Sequence, residues 1–394
     1  MRVIVIGAGI GGLVAGLAMR RAGIEVDIFE QASELREIGA GIQISPNASI
    51  ILERLGLADE MHKFGVRPLA IQIRRWNDGR LLTRQPLGDF CERHFGAPYY
   101  HFHRADLLNI LSNALPRKFL HLNHRCVGVR TYRERAEVRF QDRTSADGDL
   151  VIGADGIHSV IRELVVGRES GRFSGQVAYR GLVPAERLAD LELELCASIW
   201  WGPGHHFVHY FVGAGGRFVN WVAVVPSEWR IESWTERGKV ADALRQFDGW
   251  HPQVRSIIGA VDVTNRWALY DRDPLPRWTV GRVTLLGDAA HAMLPYMAQG
   301  AAQSIEDAAV LAKCLQRCPD DMEKGLRQYE QARKPRTTLC QEGSRRNGAM
   351  YHLADGADQQ TRDANLSAAM TAPLPQNAWL YGHDAEAESN GMIR

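Results

Sequence analysis

No stretch of this 394-residue chain approaches the ~20 consecutive apolar residues of a membrane-spanning helix. The N-terminus lacks a basic segment ahead of an apolar one with a cleavage site. Its apolar stretch begins at residue 3 and reads as a buried strand, so no secretory signal is expected. Net charge is nearly absent, 47 Lys and Arg against 46 Asp and Glu. With both signs interspersed there is no electrostatic case for nucleic acid or a membrane surface. Cysteines are few (91, 126, 196, 314, 318 and 340), and none stand in a Cys-x-x-Cys pair. Neither a disulfide framework nor a metal site is expected; the pattern suits isolated thiols in a reducing cytoplasm. The 14 histidines show no His-Glu-x-x-His or other ligand spacing, so no metal is expected.

What is present is a soluble, globular composition, 45% hydrophobic and 24% charged, in a chain long enough for two joined domains. Three segments in fixed order carry the chemistry. Residues 3–12 read Val-Ile-Val-Ile-Gly-Ala-Gly-Ile-Gly-Gly. A short buried strand runs into Gly7, Gly9 and Gly12. The first permits a tight turn, the second lets backbone approach a pyrophosphate, and the third lets the next helix, over 13–22, pack closely on the strand. That helix would direct its N-terminal N–H groups and dipole at the phosphates. A second strand over 25–29 ends in Glu30, where a carboxylate accepts ribose hydroxyls. Residues 151–156 and 283–288 repeat the form, apolar strand into glycine turn, with Asp155 and Asp288 at the turns. An aspartate at the end of a buried strand needs a partner. Capping the next helix is one role; holding a hydroxyl-rich ligand is the other.

These segments resemble the set shared by the single-component FAD-dependent aromatic hydroxylases, of the salicylate, 6-hydroxynicotinate and 3-hydroxybenzoate hydroxylase types. Further matches are residues 39–43 (Gly-Ala-Gly-Ile-Gln), 103–107, 178–181 (Ala-Tyr-Arg-Gly), 297–301 and 379–381 (Trp-Leu-Tyr). The resemblance implies FAD with NADH or NADPH as co-substrate, and hydroxylation by O2 through a flavin C4a-hydroperoxide. It places Glu30, Gln31 and the backbone at Cys126 around the adenosine, and Asp155 at FAD and NAD(P)H. Arg104 and Asp288 fall along the ribityl chain, Gly300 and Ala301 at the isoalloxazine edge, and Gln43 near the flavin. Arg104 also suits an ordinary helix start.

The implied fold is α/β: a Rossmann-like FAD domain interleaved with an antiparallel-sheet substrate domain and a helical C-terminus. The FAD domain is expected over 1–70, 100–175 and 280–340, the substrate domain over 71–99 and 176–279, and the C-terminal segment over 341–394. Asn77-Asp78-Gly79 between two strand-like runs marks a hairpin. Alternating Val, Phe, Tyr and Trp over 176–275 suggest an antiparallel sheet with one covered face. Gly213 to Gly216 has no helix after it and reads as a hairpin turn, so a second dinucleotide fold is absent. Trp379 and Tyr381 suggest that the polar tail docks.

Substrate should lie where that sheet meets the flavin. Along 205–211, His206, Val208 and Tyr210 share one face, and His206 and Tyr210 stand ~13 Å apart. The resemblance implies both line the substrate pocket with Pro295 and Tyr296. Deprotonating a phenol enriches its ortho and para carbons, which suits His206 as base or relay and Tyr210 as orienter. Where this chain has Pro295 the 3-hydroxybenzoate enzymes tend to carry Gln; where it has Tyr296 and Gln43 the hydroxynicotinate enzyme has His. A small hydroxylated aromatic carboxylate is indicated, with regiochemistry, decarboxylation and oligomeric state (monomer or homodimer) open. An epoxidase of larger apolar substrates would call for a membrane anchor, and a halogenase for a Trp-x-Trp-x-Ile-Pro stretch; neither is found. A non-catalytic flavin-binding redox module would bind FAD without substrate-stimulated NAD(P)H oxidation. A plain NAD dehydrogenase leaves the two aspartate turns without purpose.

Overall fold

A computed structural model describes residues 1–35, 40–231, 236–370 and 377–387. Gly39 of the first glycine-rich match therefore lies outside the described residues. Two sheets dominate. The first has six strands in the order Thr279–Val280, Val283–Leu285, Leu150–Gly153, Arg2–Ile6, Glu25–Phe29, Leu120–His121. Only the outermost pair at one edge, Thr279–Val280 with Val283–Leu285, is antiparallel; the rest are parallel. Val5 sits opposite Ile152 on one side and Ile28 on the other, each fully buried. Strands covered on both faces need no polar alternation, hence the unbroken Val-Ile runs. A three-stranded meander over 126–148 leads into the central strand Leu150–Gly153.

The second sheet has eight strands: Arg237–Gly238, Thr264–Asp271, Arg172–Pro184, Phe218–Pro226, His205–Val212, Ala197–Gly202, Ala70–Arg75 and Leu81–Pro86. All pairs are antiparallel except Ala197–Gly202 with Ala70–Arg75, which brings the early hairpin into the sheet from 126 residues away. The expectation of one covered face is corrected. Phe207, Trp200 and Trp221 pack on one side with Phe247 and Trp250, beneath helices Val240–Gln246 and Pro252–Gly259. Trp201, Val224 and Trp267 pack on the other with Leu294, Tyr296 and Tyr351. The second cover comes from distant chain, so local alternation could not reveal it.

Helix Gly300–Arg317 packs between helix Ile10–Arg21 and the 30-residue helix Met322–Tyr351. The boundary expected between residues 340 and 341 falls inside that long helix, which tolerates Pro335 within it. The tail docks through helix Ala378–Tyr381. Tyr381 packs against Tyr99 and Phe95, and Arg336 donates to the Leu380 carbonyl at 2.9 Å.

Candidate active site

The nucleotide end is built by steric demand on glycine. Gly7 has φ +104°, and a Cβ there would meet the Ala154 carbonyl oxygen at 2.4 Å. At Gly12 a Cβ would meet the Gly7 carbonyl oxygen at 1.9 Å. At Gly9 it would meet nothing within 4 Å, so the turn opens there. Helix Ile10–Arg21 starts at that opening with no side-chain cap and no acid in its first turn. Its free N–H groups form a site for an anion. Glu30 accepts from Ala8 N at 2.8 Å and Ala32 N at 2.9 Å, which fixes its carboxylate beside the turn. Gln31 is exposed just beyond it. The 121–126 segment wraps the same corner, bonding Glu30 from both directions and ending at buried Cys126.

Asp155 is occupied as a helix cap. Its carboxylate accepts from Ser159 Oγ at 2.5 Å and from Val160 N at 2.8 Å, ahead of helix Val160–Val166. Of the two roles open for it in sequence, capping is the one its side chain performs here. Its backbone abuts Gly7, where a Cβ would come within 3.1 Å of the Asp155 Cα.

A second group surrounds the Gly287 turn. Arg104 opens helix Arg104–Ala114 and is half-buried; burial pulls its guanidinium down and the facing Asp288 opposes that. Asp288 itself is exposed, at the first turn after Gly287 (φ +64°). The Gly287 turn is anchored from behind, Asp307 Oδ2 accepting from Gly287 N at 3.0 Å and facing His291 Nε2 at 2.6 Å. Asp307 and neighbouring Glu306 are fully buried and paired with Arg333, and Glu306 also with Arg336. Glu306 further accepts from Asn47 Nδ2 at 2.6 Å, tying down the loop after Gln43. Helix Gly300–Arg317 starts beside Asp288, again without side-chain cap or acid in its first turn, so Gly300 and Ala301 present free N–H groups. Ala298 just before it adopts φ +53°, a left-handed strain held at the bend into the helix.

The substrate-side residues form two neighbouring clusters on strand His205–Val212. At one end Tyr210 lies against His101, ring centroids 4.5 Å apart, with Asn220, Gly41 and Arg180 around it. Gln43 accepts from the Tyr99 hydroxyl at 2.6 Å in the same corner. Burial raises the Tyr210 phenol to about 12 and pulls the Arg180 guanidinium to about 9. At the other end His206, 3% exposed, lies 5.2 Å from the Tyr296 ring and 5.4 Å from Tyr351. Its Nδ1 is 2.7 Å from His352 Nε2. Burial, then the neighbouring His352 and His205, push the His206 imidazole well below its ordinary range. The Tyr296 hydroxyl is buried without a hydrogen-bond partner. Pro295, next to it, is exposed. His206 and Tyr210 thus share a face without touching, as their spacing implied.

Sequence reasoning passed over Tyr99, His101, Asn220, Tyr351 and His352. Arg180 stood in a matched motif without a role, while the Glu306-Asp307 acid pair in an apolar helix was a visible signal. Among the described residues no group of three or more His, Cys, Asp or Glu side chains is gathered for a metal. No helix of them is long and apolar enough to cross a membrane.

Comparison with known proteins identifies the family. The profile described as FAD binding domain matches residues 1–343. The chain is 42% identical over 387 residues to 3-amino-4-hydroxybenzoate 2-monooxygenase of Streptomyces cremeus, covering 98% of this chain and 96% of that one. It is 38% identical over 350 residues to 6-hydroxynicotinate 3-monooxygenase of Bordetella bronchiseptica, covering 88% and 91%. Klebsiella pneumoniae HpxO, solved with FAD and uric acid, superposes with TM-score 0.84 at 30% identity, covering 100% of this chain and 95% of that one.

Proposed function

Because this chain belongs to the FAD binding domain family, and is a flavoprotein aromatic monooxygenase using NAD(P)H, we propose that it hydroxylates a small hydroxylated benzoate. The compound to test first is 3-amino-4-hydroxybenzoate, named for relatives that share 42–43% of its residues over nearly its whole length. One observation carries the placement of the site: Tyr296, four residues before the helix start at Gly300, is in ring contact with His206 on the sheet. The loop that would meet the flavin edge and the strand that would meet the substrate are therefore one wall.

FAD fits the cleft. The opening at Gly9 and the uncapped helix at Ile10 suit its pyrophosphate, with Gly7 and Gly12 shaping the turn and Glu30, Gln31 and the Cys126 backbone at the adenosine. Asp155 supports that turn. Arg104 and Asp288 suit the ribityl region, Gly300 and Ala301 the pyrimidine edge, and Gln43 the near face. When bound, the cofactor supplies activation of O2, so that one oxygen atom is transferred to the ring and the other leaves as water. The chain's own residues do the rest. His206 accepts the phenolic proton, which loads electron density onto the ring carbons ortho and para to it. The orphan Tyr296 hydroxyl gains a partner in a bound polar substituent, and Tyr210 orients the ring. The two clusters' aromatic walls exclude water. The site is proposed to be cytoplasmic: all six cysteines are buried free thiols.

The test is NADH and NADPH oxidation by the FAD-loaded protein with 3-amino-4-hydroxybenzoate, 3-hydroxybenzoate, 6-hydroxynicotinate and salicylate, products identified. Stimulated oxidation with hydroxylated product supports the reading. Failure of all four to yield product refutes it.

A further inference from the structure

A lone buried histidine is a poor place to leave a proton. His206 makes no hydrogen bond through Nε2 among the described residues, while Nδ1 is 2.7 Å from His352 Nε2. His352 stands one residue past the end of helix Met322–Tyr351 and is only partly buried. It is held in place by its own carbonyl, which accepts from Gly204 N at 3.0 Å. The groups facing this pair are His205 on the same strand, Tyr296 on the loop and Tyr351 on the helix; farther out Asp355 pairs with Arg75 at 2.9 Å. None is a carboxylate in contact with either ring, so neither imidazolium would be stabilised there.

We propose that His352 is a proton-relay residue that carries the substrate's phenolic proton from His206 to solvent. The inference rests on the hydroxybenzoate reading above and deepens it. Before the step His206 holds its proton on Nδ1, donated to His352 Nε2, and His352 holds its own on Nδ1. The substrate O–H breaks and its proton bonds to His206 Nε2. The His206 Nδ1 proton passes to His352 Nε2, and the His352 Nδ1 proton leaves to water. One proton enters, one leaves, and each ring stays neutral with its tautomer exchanged. Rotation or re-protonation of the rings resets them. The arrangement removes the charge from a site that burial makes hostile to imidazolium, and the unpartnered Tyr296 hydroxyl beside His206 marks where the substrate's polar group sits.

The test uses FAD-loaded wild type, His352→Gln and His352→Ala with 3-amino-4-hydroxybenzoate. Binding is read from the flavin absorbance change and chemistry from single-turnover product formation. Expected are dissociation constants within about twofold of wild type and at least a tenfold slower product step in both variants. Added imidazole should restore much of the rate in His352→Ala and none in His352→Gln, a response that a purely structural role would not give. A His352→Gln enzyme at wild-type rate, or a His352→Ala enzyme that binds normally yet ignores imidazole, overturns the relay. Should the variants not fold, a proton inventory of the wild-type step in H2O–D2O mixtures decides: a bowed plot supports movement of more than one proton, a straight one refutes it. Wild type that yields no hydroxylated product sinks the substrate reading itself, and the relay with it.

Discussion

Replacing Tyr296 by Phe separates stability from function at one atom. A buried hydroxyl without a partner costs about 1–3 kcal/mol, so Tyr296→Phe is expected to raise the melting temperature while kcat/KM for the preferred substrate falls. Equal loss of both, in paired melting and kinetic runs, would contradict the assignment. The buried histidines set acid stability. Burial pulls His101 and His209 down to about 3 and His352 to about 4, with His206 also pushed far down. In the unfolded chain such groups titrate near 6.5. Below that pH the unfolded state takes up protons that the folded state refuses, so stability is lost from pH ~6.5 down to the folded values. At pH 5 an unfolded histidine is ~30:1 protonated, about 2 kcal/mol per residue. Urea unfolding at pH 7.5 and 5.0 should therefore show a drop of several kcal/mol, and His209→Gln should lessen it. That His206 and Tyr210 share a face was legible from strand alternation, while Tyr296 came only from the motif resemblance. His352 was not, because its position depends on where a 30-residue helix ends in space.

Among the elements, the glycine turn and the buried acid helix bear the strictest demands. Gly12→Val would drive side chain into the Gly7 carbonyl, where even a Cβ comes to 1.9 Å. The expected result is protein that purifies without yellow colour and fails to take up FAD in fluorescence titration. Arg333→Met would leave Glu306 and Asp307 in the interior with one of their shared cations gone. Breaking a buried pair in this way costs about 3–5 kcal/mol, and the Gly287 turn that carries Asp288 would loosen with it. Denaturant melts of apo protein would show the first effect and FAD affinity the second. Strand, glycine and helix spacing in the first 30 residues could be read to within a few positions. The second cover on the eight-stranded sheet could not, since Leu294, Tyr296 and Tyr351 lie 80 residues or more from His206 and Trp201, apart in sequence.

For the molecule as a whole, FAD should behave as a structural ligand. The residues proposed to hold FAD run from the first turn to Ala301, so a cofactor bound in that proposed cleft would bind only the folded chain. At a hundred times its dissociation constant it would add about 2.7 kcal/mol. A melting temperature indifferent to FAD would be incompatible with that cleft. The boundary expected at residue 340 does not interrupt the chain: Met322–Tyr351 is one helix, whose continuity Pro335 and a polar surface disguise in sequence. The parallel pairing of Ala70–Arg75 with Ala197–Gly202 also governs how the protein comes into being. The hairpin Ala70–Pro86 leaves the ribosome with one edge bare, and its permanent neighbour is still more than a hundred residues from synthesis. At ~5–20 residues per second that wait is roughly 6–20 s. During it Ile71 and Ile73 have no sheet to join. A nascent chain with an open, apolar strand for that long is a natural client for holding chaperones, and the yield of the protein in a foreign host would depend on their supply as much as on its final stability.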